Sequence, residues 1–160
     1  MRWVGIALLV GISCCAGDHQ RTDIKANAVT DRIRIYLVED GGKSGGGSCD
    51  AKAEPIEVTL PRTRPALEGA IEALLADHEP YDERSGLYNA LSGSRLTLER
   101  VERNGAEARV HLQGYLEVGD RCDGPRALAQ LTETALQFPD VERAQVYLDG
   151  KPLRDQLPGR

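Results

Sequence analysis

Apolar residues recur along the chain with two different periods, one alternating and one helical, and the changes of period mark the elements. Ile33, Ile35 and Leu37 alternate with Arg34, Tyr36 and Val38, which predicts a strand over 32–38. Ile56, Val58 and Leu60 alternate with Glu57 and Thr59 as a second strand, ended by Pro61. The period then lengthens. Behind Pro65, the residues Leu67, Ala70, Ile71, Leu74 and Leu75 share one broad helical face, with Glu68 and Glu72 on the solvated side. Residues 86–94 read as a loop with Leu87, Ala90 and Leu91 tucked beneath it. Leu96, Leu98 and Val101, the turn Asn104-Gly105, and then Ala106, Ala108, Val110 and Leu112 predict a hairpin. A two-residue turn there pairs Val101 with Ala108 and, continued straight, leaves Leu98 on the wrong face. One extra residue at Glu99 or Arg100 brings Leu98 back opposite Val110, so a β-bulge is expected.

The pattern is most self-consistent near the C-terminal end. Leu128, Leu131, Ala135 and Phe138 form one helical stripe, with Arg126, Gln130, Glu133 and Gln137 placed outside it. Pro125 suits a first turn and Pro139 stops the helix. Ala144, Val146 and Leu148 then point one way along a strand while Gln145 and Tyr147 point the other. Asp149-Gly150 supplies a tight turn, and Pro152-Leu153 a short return strand. The order is β-β-α-β-β-α-β. Each helix has one face to bury, so the expected architecture is α+β: a two-layer sandwich of one mixed sheet with two amphipathic helices on one face.

The first 17 residues follow a different logic. Arg2 precedes an apolar run from Val4 to Ile12, and Ser13, Cys14, Cys15, Ala16 and Gly17 are small, the layout of a secretory signal too short to span a bilayer. Two processing routes fit: cleavage after Ala16, or a lipoprotein signal in which Cys14 or Cys15 is acylated and anchors the chain. Residues 18–30 are polar and aperiodic, a tether; residues 31–157 form the domain and 158–160 a tail. In an exported chain Cys49 and Cys122 are an even pair in an oxidising compartment, and a disulfide is expected, with two unpaired thiols as the alternative.

Composition narrows the function classes. With one Trp, one Phe and one Met, the core must be aliphatic. The net charge of −5 comes from interspersed charges, and no basic stripe is present, which argues against nucleic-acid binding. Gly42-Lys43-Ser44 lacks the upstream glycine of a phosphate loop, since Leu37 stands there, so no nucleotide site is read and residues 39–48 are taken as a surface loop. His19, His78 and His111 are scattered and no zinc set or other cofactor is expected. Ser92 and Ser94 have no nucleophile-elbow context, His111 reads as an exposed strand residue, and Thr134 as a helical hydroxyl bonding back to its own helix. No catalytic residue is assigned. Tyr81, Tyr88 and Tyr115 fall in connecting segments and would make an aromatic ligand patch if they converge.

The ordered set of motifs resembles the GerMN domain of bacterial spore-germination and sporulation lipoproteins. The resemblance runs over residues 33–153 and rests on the Ile33 to Val38 strand, Val58-Thr59-Leu60-Pro61 before the Leu/Ala-rich helix, Gly86-Leu87, and Ala129-Gln130-Leu131-Thr132-Glu133-Thr134-Ala135-Leu136 with Phe138-Pro139 and Asp149-Gly150. It departs at Ala76-Asp77-His78-Glu79-Pro80, where a Leu-Leu-x-Gly-Pro exit is usual, and only one copy is present. The resemblance implies an envelope or secreted lipoprotein without established catalysis, similar to modules that build protein assemblies between bacterial membranes. The expected function is therefore a non-enzymatic, membrane-anchored interaction module of the cell envelope. The alternatives are a small cell-wall hydrolase or a soluble secreted glycan- or peptide-binding domain.

Overall fold

The structure, a computed structural model, describes residues 30–39, 49, 52–62 and 64–157. The elements are β1 (Thr30–Val38), β2 (Ala53–Pro61), α1 (Ala66–Ala76), β3 (Arg95–Asn104), β4 (Glu107–Tyr115), α2 (Asp123–Leu136), β5 (Arg143–Leu148), β6 (Lys151–Pro152) and a single-turn α3 (Leu153–Gln156). The class is α+β and the order matches the sequence pattern, with α3 added where a return strand was expected to continue. No helix among the described residues is long and apolar enough to cross a membrane. The leader, with Cys14 and Cys15, the tether up to residue 29, and most of the glycine-rich loop lie outside the described residues, while Thr30, counted with the tether, begins β1.

The strands divide into two hydrogen-bonded sheets, where one mixed sheet was expected. β1 and β2 pair antiparallel from Thr30↔Pro61 to Val38↔Ala53. The second sheet has the order β3-β4-β5-β6, with β4 and β5 parallel and the other pairs antiparallel. A parallel pair needs a crossover, and α2 supplies it. α1 packs on β3, α2 packs on β5, and the helices touch each other, so both cover one face of the four-stranded sheet; the β1–β2 hairpin packs against both helices. The core is Leu67, Ile71 and Leu74 of α1, Ala127, Leu131 and Ala135 of α2, Ala108, Val110 and Leu112 of β4, and Ile35 and Leu37 of β1.

What separates the sheets is α2. Arg34 and Tyr36 turn their backbone groups away from β2, and side chains of α2 meet them. Gln137 accepts from Arg34 N–H at 2.9 Å and donates to Arg34 C=O at 2.5 Å. Thr134 Oγ1 accepts from Tyr36 N–H at 3.1 Å, and Gln130 Nε2 donates to Tyr36 C=O at 3.1 Å. One residue further on, Val38 exchanges two backbone bonds with Tyr88, at 3.0 and 2.8 Å. A strand edge buried without such partners would leave costly orphan groups. Three side chains at helical spacing thus stand in for a missing strand. This corrects two sequence expectations. Gln130, placed outside the stripe, is fully buried, and Thr134 bonds across to β1 in place of its own helix.

The hairpin carries its bulge between Leu98 and Arg100, as the face argument required. Its register differs by two residues from expectation: Val101 pairs with Val110 and Leu98 with Leu112, because Asn104 pairs with Glu107 and the loop is Gly105-Ala106. A slip of two keeps every side chain on its face, so the hydrophobic pattern cannot detect it. At the second turn Asp149 (φ 50°) and Gly150 (φ 78°) both take positive φ, the geometry of a tight two-residue hairpin turn.

Candidate interaction surface

The sequence-selected residues fall into one structural cluster and one surface. Cys49 and Cys122 form a disulfide with a Cα–Cα distance of 5.0 Å, tying the β1–β2 connection to the N-terminus of α2. Beside it Asp123, buried at the first turn of α2, accepts from Gly119 N–H at 3.0 Å, Asp120 N–H at 2.9 Å and the Tyr88 hydroxyl at 3.2 Å. Arg126, which the sequence places outside the apolar stripe, is buried; it lies 3.6 Å from the Asp123 carboxylate and 5.7 Å above the Tyr88 ring. Burial, followed by the Asp123 charge, pushes the Tyr88 phenol up to about 12. The Tyr81 and Tyr88 rings meet at 5.4 Å. Tyr115 ends β4 rather than lying in a loop, and is 63% exposed. The structure brings two of the three tyrosines together, and uses Tyr88 to lock the loop before β3 onto α2.

The histidines and serines take local partners. His78 Nδ1 lies 3.3 Å from the Ser92 carbonyl, and Ser94 Oγ accepts from Glu117 N–H at 3.1 Å. His111 is largely covered, stacked on Tyr147 at 4.8 Å with its Nε2 3.5 Å from Glu102. It was expected to be exposed; the sheet's uncovered face shelters it because β5 places Tyr147 directly alongside. Glu72 pairs with Arg64 at 2.5 Å. Among the described residues, no group of three or more His, Cys, Asp or Glu side chains is placed to hold a metal ion.

Among the described residues, two grooves bear on a candidate surface. The smaller, about 270 Å³, runs between the open end of the hairpin and the small-residue side of α1, lined by Ile33, Leu60, Pro61, Ala66, Gly69 and Ala73. The larger, about 510 Å³, lies between α2 and β5, lined by Leu128, Thr132 and Leu136 on one wall and 142–146 on the other, with Pro152, Arg154 and Asp155 at one end. Its floor is a strand edge. Arg143 N–H donates to Ala106 C=O and Asp149 N–H to Leu112 C=O, so the odd-numbered residues of β5 turn their backbone groups to β4. By alternation Ala144 and Val146 turn theirs outward. β6 pairs only with Tyr147 and Leu148, so among the described residues Ala144 and Val146 have β4 as a strand neighbour and no strand on the side away from it. Sequence reading found the stripe containing Leu128 but not the groove. Leu128 belongs to the predicted stripe, Leu136 does not, and both are half-buried.

Comparison with known proteins places this fold. The family model of Germane, described as sporulation and spore germination, matches residues 34–154. The structure is similar to the tandem GerMN domains of the sporulation protein GerM from Bacillus subtilis, with 13% identity, a TM-score of 0.55, and coverage of 81% of this chain and 43% of that one. It is also similar to the first GerMN domain of that protein, with 17% identity, a TM-score of 0.51, and coverage of 80% and 89%. The chain spans less than half the length of the tandem structure, and at these identities the likeness is one of fold. No curated protein matches the chain. With its helices, sheets and single matched segment all in agreement, the chain belongs to the Germane family of sporulation and spore-germination (GerMN) domains.

Proposed function

We propose that this chain is an exported, non-enzymatic interaction module, anchored to a membrane through an acylated cysteine, Cys14 or Cys15, and presenting its domain to a partner in the cell envelope. The observation that carries the reading is how the buried polar side chains are spent. Asn89, Ser94, Asp123, Arg126, Gln130 and Thr134 are the buried polar or charged residues of the described chain. Each is engaged in holding one segment to another. Asn89 Nδ2 donates to Asp77 C=O at 2.8 Å, and Gln130 Oε1 accepts from Ala90 N–H at 2.9 Å. Groups so committed are not poised for acid–base or nucleophilic work, which needs them aimed at a reacting atom.

Three further observations support the reading. The leader has a lipoprotein layout, the Cys49–Cys122 disulfide suits an oxidising compartment, and the family is one of sporulation and germination domains. The deciding experiment is fractionation of cells expressing the full chain. Wild type is expected in the membrane fraction with an acyl group detected by intact mass, and the double variant C14S/C15S in the soluble fraction. Wild type recovered soluble and unacylated defeats the anchor.

A further inference from the structure

We draw no further inference here: the strongest candidate, the apolar groove between the open end of the β1–β2 hairpin and the small-residue side of α1, carries nothing because nothing in the structure shows what covers it.

Discussion

Gln130 shows how one residue can change meaning between sequence and structure. On a helical wheel it lies off the apolar stripe; in the fold it is sealed, accepting from Ala90 N–H and donating to Tyr36 C=O and to Asn89 Oδ1 at 3.3 Å. Replacing it with Leu keeps the volume and orphans a buried backbone donor and acceptor, so Gln130→Leu should cost about 3 kcal/mol, read as a fall in urea midpoint at unchanged slope. Tyr88 makes a prediction in pH. Its phenol is raised from 10.0 to about 12 by burial first and Asp123 second. A group whose folded value is raised contributes stability that is complete below its unfolded value and lost as pH rises through the folded one. Stability should therefore fall between about pH 10 and 12, and Tyr88→Phe should flatten that fall; absorbance at 295 nm of wild type should show the late phenol. Gly114 is constrained by backbone alone. At φ 119°, a Cβ there would lie 2.2 Å from the Arg95 carbonyl oxygen, so Gly114→Ala should destabilise by about 3 kcal/mol in the same urea assay.

Among the elements, β5 and α2 carry most of the consequences. The alternation argument makes β5 testable without a ligand: amides of Gln145 and Tyr147 should be protected from hydrogen exchange by β4, and that of half-buried Ala144 should exchange faster than either. The strands, both long helices and the bulge at Glu99 were legible because period, Pro and Asn-Gly chemistry are local signals. The position of the β3–β4 turn was not, since moving a two-residue turn by one position changes the register by two and buries the same faces. Nor was the β1 edge. Side-chain amides replacing a strand leave no periodic mark, although Gln130, Thr134 and Gln137 at helical spacing do mark one face.

At the scale of the whole molecule, the disulfide and the α2 side-chain ladder hold the hairpin to the rest of the fold. The bridge closes a sequence separation of 73 residues, which by chain entropy is worth about 4 kcal/mol. Reduction, or Cys49→Ser, should lower the urea midpoint accordingly. Hydrogen exchange should report the β1–β2 amides loosening before those of β4, whose inward residues Ala108, Val110 and Leu112 are at the centre of the core. The candidate surface belongs to this scale as well. A two-residue β6 runs beside a six-residue β5, and there Leu128 of the predicted stripe and its neighbour Leu136 border a groove.

The order of elements, the inward face of each, the bulge, the cysteine pair and the family were written in the sequence, because spacing, turn chemistry and residue type act over a few positions and survive without knowledge of neighbours. Which strands share a sheet, which polar residues of α2 are buried, how far β6 runs, and therefore where an open edge lies, were settled only when distant segments met. Those outcomes turn on pairing the last backbone donors and acceptors, a condition that no single stretch of chain can satisfy alone.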